Sequence, residues 1–310
     1  MWTRLTGFAL LLLMGIFLPP DMRTILEKSE TEIVLAPQHG GRIAQIYVRG
    51  RALLTDATEH DEYYGSIWWP SPQQQWVWPP PPAIDQASYE VAPVENGFIL
   101  KSGDCLVTGL QLNKEYRLLS DSQLQVVYTA TNVTDSDMEM AHWEVSRMPK
   151  NGRVIFPAGK AFEDKGNDQG FLFYQREADL QHLLTYDQQY FDFEIMEDAL
   201  YLSGKKSKLL ADGSDGWHAY LREGVAVVKV FEDTQLEALA PEQGEVEVYV
   251  SKEAPYLEME QHSAYQLLKA GKSFRWEVNW LFIPYSETQM TAEEVAEMIR
   301  FEIEERKLNH

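Results

Sequence analysis

The sequence predicts an all-β, antiparallel fold with one C-terminal α-helix, and three observations carry that prediction. Between about residue 30 and residue 285 the chain is a series of short runs rich in β-branched and aromatic residues, most of them bounded by Gly, Pro, Asn or Asp. In the clearest run, SFRWEVNWLF at 273–282, Phe274, Trp276, Val278 and Trp280 alternate with Arg275, Glu277 and Asn279, the pattern of a half-buried strand. Helical periodicity is convincing in one place only, TAEEVAEMIRFEIEERK at 291–307. Many strands without helices between them indicate an antiparallel sandwich or barrel.

The remaining elements follow in order. EIVLAP (32–37) and RIAQIYV (42–48) come first, then YEVAP (89–93) and GFILKS (97–102). QLQVVYTATN (123–132), GVAVVKVF (224–231) and EVEVYV (245–250) precede the terminal strand. In the helix, Thr291 and Glu294 form a capping box, and Val295, Met298, Ile299 and Ile303 make an apolar stripe that should pack across the sandwich. No internal repeat or low-complexity linker divides the chain, so residues 30–310 read as a single domain.

Composition narrows the partners. The 310 residues carry a formal charge of −21, from 48 acidic and 27 basic side chains. Such a surface repels phosphate backbones and anionic membranes, which argues against nucleic acid and leaves neutral ligands open. Cys105 is the single cysteine, so neither an internal disulfide nor a cysteine-based zinc site can form. The N-terminus has Arg4 followed by an apolar run from Phe8 to Leu18, ended by Pro19 and Pro20. That run is too short to span a bilayer as a helix and suits the apolar region of a secretory signal, giving a segment over 1–22 and a periplasmic or secreted protein with no membrane span after its removal. The plainer alternatives are a buried helix or a misplaced start codon.

The stretch GSIWWPSPQQQWVWPPPP (65–82) is the most unusual in the chain. Repeated prolines exclude a continuous helix, and four tryptophans are too many for an ordinary solvent loop.

Three segments in order resemble the galactose mutarotase-like superfamily, the aldose epimerases among them. GGRIAQIYVRGRALL (40–54) resembles their opening hairpin, and VVYTATNVTDSDMEMAHWEVSRM (126–148) their strand, Thr-Asn turn and histidine-bearing strand. YLEMEQ (256–261) with LLKAGKSFRWEVNWLF (267–282) is similar to the segment holding their catalytic glutamate and terminal aromatic strand. The Trp-Pro-Gln stretch and WEVSR look closer to an uncharacterised bacterial family of that superfamily, known only as a domain of unknown function. The resemblance implies a β-supersandwich fold and a carbohydrate ligand. It places Glu258 where the epimerase base stands and His142 near the acid. Two places depart from it: the Trp-Pro-Gln stretch replaces a histidine-rich loop, and Glu260 stands where the epimerases have glutamine.

Mutarotation needs one group to take the anomeric proton and another to protonate the ring oxygen, work suited to a carboxylate and a histidine. Strand alternation puts Leu257 and Met259 toward the core, with Tyr256, Glu258 and Glu260 opposite. In 140–146 it separates Ala141, Trp143 and Val145 from His142, Glu144 and Ser146; turning the apolar set inward sends His142 and Glu144 toward the cleft or solvent. The catalytic candidates are therefore Glu258, His142 and Glu144. For sugar binding the candidates are Gln73, Gln75, Trp76, Trp69, Arg147 and Glu260, because sugars offer flat C–H faces to aromatic rings and hydroxyls to amides and carboxylates. Trp68 and Trp78 are further platforms, unless the tryptophans simply cap one end of the sandwich. Arg147 could clamp a ligand or pair with Glu144 or another nearby acid, Arg42 should close the first hairpin, and Lys208 reads as a surface lysine, with a cleft role as the alternative. His60, His182 and His262 show no metal-ligand spacing, and no cofactor motif occurs, so neither metal nor cofactor is expected. The expected ligand is a neutral mono- or oligosaccharide. Three activities remain open: an epimerase-like acid/base enzyme, a glycan-cleaving enzyme using paired carboxylates such as Glu144 and Glu258, and a non-catalytic glycan-binding module.

Overall fold

The structure, a computed structural model, describes residues 24–159, 171–174, 184–186, 189–195, 206–251, 253–286 and 289–308. The N-terminal apolar segment and His182 lie outside the described residues. Among the described residues the strands form an eleven-stranded and a ten-stranded sheet, and every strand pair is antiparallel. The two sheets pack face to face over one apolar core. The expected all-β supersandwich is the fold observed.

The runs read from the sequence become strands with small shifts at their ends. Arg42–Val48 and Gln123–Asn132 match the predicted limits, and the terminal run extends to Ser273–Pro284. In that strand Trp276, Val278 and Trp280 are buried while Arg275 is exposed, as its alternation requires. The helix spans Ala292–Glu305 behind a complete capping box from Thr291 and Glu294. Its buried residues, Val295, Ala296, Ile299 and Ile303, join Trp217, Val228, Leu281 and Ile283 in a second apolar cluster, so the helix covers one face of the ten-stranded sheet. No helix among the described residues is long and apolar enough to cross a membrane.

The eleven-stranded sheet positions the site. Its central order is Arg42–Val48, Ser66–Ser71, Met138–Pro149, Tyr256–His262, Val246–Ser251 and Lys206–Ala211. The Trp-Pro-Gln stretch is less of a loop than its prolines suggest. It enters as a strand whose six residues are all buried, makes a 3₁₀ turn at Gln73–Gln75, and leaves through a one-turn helix, Pro82–Asp85. Gly65 makes the entry possible. Its φ is +65°, and a Cβ there would meet the Ile43 carbonyl oxygen at 2.1 Å.

Candidate functional site

Register decides which side chains meet. Across the sheet, Trp143 pairs with Trp69 and His262, Val145 with Glu260, and Arg147 with Glu258. Glu247 pairs with Glu260 and Leu210, and Tyr249 with Glu258 and Lys208. Because directly paired residues point to the same side of a sheet, these form one continuous face. Over that face lies a cavity of about 560 Å³, walled by Trp69, Trp76, Trp78, Trp143, Tyr249 and Tyr256. Arg147, Lys208, Glu247, Glu258 and Glu260 form its charged lining, with Gln73, Gln74 and Glu242 from the flanking turns.

The Trp-Pro-Gln stretch is fastened where it borders the cavity. Trp69 Nε1 donates to Asp85 Oδ1 at 2.8 Å, and Trp76 Nε1 donates to the Pro70 carbonyl at 2.9 Å. Gln74 Nε2 donates to Glu242 Oε2 at 2.6 Å, joining the stretch to the turn before strand Val246–Ser251. Trp76 packs on Trp69 and Trp143 and stacks on Trp78 at 6.4 Å between ring centres. Trp76 is 5% exposed and Trp78 48%, so one ring is wall and the other rim. Gln75, expected in the cleft, points elsewhere: its amide donates to the Glu139 carbonyl and the Tyr265 hydroxyl.

Arg147 lies beneath the aromatic wall. Its guanidinium is over the rings of Trp69, Tyr63 and Tyr256, 5.4–5.6 Å from their centres, and Nη2 is 2.9 Å from Glu258 Oε1. Burial works against its charge, but Glu258 and Tyr256 outweigh that effect and raise its pKa. Nε and Nη1 are buried without an acceptor. The pairing with Glu144 weighed from the sequence does not form; Glu258 is the partner. Arg42 is structural, as expected. It donates to carbonyls of His39, Glu62, Tyr64 and Asp85 and ties the first hairpin to the aromatic stretch.

Lys208 takes the cleft role, the alternative to its reading as a surface lysine. Its Nζ lies 2.5 Å from Glu247 Oε2 and 2.8 Å from Glu260 Oε2, and these two carboxylates hold its pKa above the ordinary lysine value against the opposing effect of burial. Trp143 Nε1 also donates to Glu260 Oε2, at 2.7 Å. Burial, reinforced by Glu247, pushes the Glu260 carboxyl well up; in Glu247, Lys208 overcomes burial and holds the carboxyl down. Glu247, Glu260 and His262 have the donor set of a cation site, with ligand atoms within 4.8 Å of one another. Lys208 already supplies the positive charge at both carboxylates.

His142 and Glu144 require correction. The strand Met138–Pro149 is turned opposite to the expected way: Trp143 and Arg147 face the cleft, while His142 and Glu144 point between the sheets. His142 accepts from Trp68 Nε1 at Nδ1 (2.9 Å) and donates from Nε2 to the Phe274 carbonyl (3.2 Å). Burial drives its pKa down to about 3, so the ring stays neutral and has no proton to offer a ligand. Glu144 Oε1 is 2.8 Å from Lys229 Nζ and accepts from Gln261 at 2.7 Å, while Oε2 accepts from the Tyr128 hydroxyl. Lys229 also donates to Ser146 and lies over the Trp280 ring at 4.3 Å. This network fills the interior. Glu144 and Glu258 therefore open on opposite faces of the sheet and cannot straddle one glycosidic bond. Trp68, fully buried beside His142, is core and not a platform.

Lys229, Glu247 and Tyr249 were not singled out from the sequence. For the last two a signal existed: alternation in EVEVYV puts Glu245, Glu247 and Tyr249 on one side. No local pattern marks Lys229, whose partners come from the other sheet.

The sandwich is galactose mutarotase-like in its fold, as superposition on solved structures shows. A putative aldose 1-epimerase from Escherichia coli K12 superposes with TM-score 0.58 at 11% identity, covering 85% of this chain and 99% of that one. A galactose mutarotase-like protein from Lactobacillus casei ATCC 334 gives 0.56 at 11%, covering 84% and 100%. A galactose mutarotase related enzyme from Lactobacillus acidophilus gives 0.52 at 11%, covering 87% and 100%. At such identities the likeness establishes the fold alone. The chain belongs to the DUF4380 family, a domain of unknown function whose model matches residues 22–283. No curated protein matches it by sequence.

Proposed function

We propose that the protein binds a neutral mono- or oligosaccharide in this cleft. One observation carries the reading: tryptophan and tyrosine rings wall a cavity whose cations are each matched by carboxylates. Trp78 and Trp76 offer ring faces to sugar C–H surfaces, and Gln73, Gln74 and Glu258 offer polar atoms to hydroxyls. Pairing of Arg147 with Glu258, and of Lys208 with Glu247 and Glu260, leaves neither cation of the cleft floor unanswered. Neutral ligands then meet no uncompensated field, whereas charged ones must break a pair. The galactose mutarotase-like relatives support the same ligand class. The segment over 1–22 supports export, and fractionation of the natural host should recover the protein outside the cytoplasm; intact protein in the cytosol would refute that part.

The test is a glycan array followed by tryptophan fluorescence titration of the purified protein. Saturable binding of a neutral glycan, weakened by Trp78→Ala, is expected. Retention of no neutral glycan, or binding indifferent to Trp78→Ala, would place function elsewhere.

A further inference from the structure

We propose that Glu247, Glu260 and His262 hold a divalent first-row transition metal ion, zinc foremost, in the floor of the cleft. The site goes beyond the sugar-binding reading and stands whether or not a sugar binds.

Strand pairing builds the site. Glu260 and His262 alternate onto one face of Tyr256–His262, and Glu247 is paired with Glu260 on the neighbouring strand. All three side chains are buried, and one oxygen of each carboxyl lies with an imidazole nitrogen inside 4.8 Å. His262 Nε2 is 3.4 Å from Glu247 Oε1. That is long for a hydrogen bond, and Nε2 has no hydrogen-bond partner among the described residues. It is the separation of two ligands sharing a tetrahedral zinc, each about 2.1 Å from the ion and so about 3.4 Å from one another. Glu260 Oε1 is likewise buried without a hydrogen-bond partner among the described residues. Lys208 does not use up the cluster. Its Nζ reaches both carboxylates at Oε2, which leaves Glu247 Oε1, Glu260 Oε1 and His262 Nε2 for an ion. One ammonium also answers only one of two carboxylate charges. Without a metal ion a proton on Glu260, whose carboxyl burial pushes up, answers the other; metal binding displaces it.

Each ligand is oriented by an outer partner, as metal ligands are. His262 Nδ1 is 3.1 Å from Ser71 Oγ; a proton donated along that bond leaves the lone pair on Nε2, aimed at the carboxylates. The Gly244 N–H donates to Glu247 Oε1 at 2.8 Å. Trp143 stacks on the His262 ring, 5.2 Å between centres, and donates to Glu260 Oε2 at 2.7 Å. An imidazole nitrogen favours zinc over magnesium or calcium, which take oxygen shells. Glu247 and Glu260 also line the cavity, so the ion's remaining position opens to water or a ligand oxygen. Histidine spacing could not reveal such a site, because two ligands are carboxylates and one comes from another strand.

The experiment uses the full chain, stripped with a chelator and titrated with zinc in excess magnesium, which occupies the general acidic surface. We expect one zinc ion to be retained per chain after dialysis, with a higher Tm. Cobalt(II) in its place should show the visible absorption of a tetrahedral nitrogen–oxygen site. His262→Gln and Glu260→Gln should each weaken zinc binding at least about 100-fold, and Ser71→Ala, which loses only an outer partner, about 10–100-fold. Lys208→Met removes a neighbouring positive charge and should tighten binding at least about tenfold. Where a variant does not fold, a zinc-soaked crystal of the wild type decides. An anomalous peak among Glu247, Glu260 and His262 upholds the site, and peaks at surface carboxylates alone overturn it. Retention of no zinc, or wild-type affinity in both folded ligand variants, also overturns it. Either failure leaves the sugar-binding reading standing, since none of these measurements involves a sugar.

Discussion

The two faces of the eleven-stranded sheet carry the same chemistry to opposite ends. On the inner face Glu144 meets Lys229, Tyr128 and Gln261, and both its oxygens are taken up. On the cleft face Glu258 meets Arg147, and Glu260 meets Lys208, yet Glu260 Oε1 and Arg147 Nε and Nη1 have no hydrogen-bond partner among the described residues. A buried ion pair closed on every side adds uniqueness to a core at little net gain. An ion pair beside a cavity, with hydrogen-bonding capacity unspent, is suited to a ligand. Composition does not distinguish the two, and unpartnered atoms alone do not either, since Trp276 Nε1, Trp280 Nε1 and both ring nitrogens of His218 are also buried without a partner in the interior; lying beside the cavity does.

The largest expected effect lies on the closed face. Lys229→Met leaves Glu144 buried without its counter-charge, which should cost about 3–5 kcal/mol of folding stability in urea denaturation. Sugar binding by the folded fraction should be unchanged. A loss of affinity out of proportion to folding would break the division between faces.

Trp76 sharpens the boundary, because it lines the cavity while being 5% exposed. Trp76→Ala should cost about 3–5 kcal/mol of stability, as a core truncation does, read from the shift of the denaturation midpoint.

Histidine titration gives an effect that depends on pH and is slight near neutrality. His142 has its folded pKa lowered to about 3 by burial, against the ordinary histidine value of 6.5. The stability this neutral ring supports is present above pH 6.5 and is lost as pH falls from 6.5 toward 3, where the unfolded chain takes up a proton that the folded chain refuses. The slope contributed by one such group approaches about 1.4 kcal/mol per pH unit. His142→Asn should therefore flatten the decline of the urea midpoint across that window. An unchanged decline would mean that His142 titrates freely and is not sealed in the core.

The mildest effect is expected at the rim. Trp78 is 48% exposed, so Trp78→Ala should leave stability nearly untouched and weaken sugar binding by about 1 kcal/mol. A stability loss matching that of Trp76→Ala would make the rim part of the core.

The sequence made some of this legible, for reasons visible in particular residues. The terminal strand was readable because Trp276, Val278 and Trp280 alternate against polar neighbours, and the helix because Thr291 and Glu294 announce its start. In Tyr256–His262, the placement of Leu257 and Met259 inside, opposite Glu258 and Glu260, agrees with the structure. The same rule inverted Met138–Pro149. Alternation separates two faces but cannot say which is core when the cleft is walled with aromatic rings and the interior holds charges. Trp143 looked like core and His142 like cleft because the residues that reverse them, Lys229 and Tyr128 inside and Lys208 and Glu247 outside, lie 14 or more positions away. Lys208 carried no local mark of its two carboxylate partners, since strand pairing alone brings them together.

The most direct measurement of the central claim, that function lies on the cleft face, is a crystal structure of the protein with a neutral sugar that it retains on the array. The account predicts a ring packed against Trp78 and Trp76 with sugar oxygens within hydrogen-bonding distance of Glu258 and Glu260, and an undisturbed Glu144–Lys229 pair. A sugar bound elsewhere, with the Glu258 and Glu260 carboxyls untouched, would contradict it.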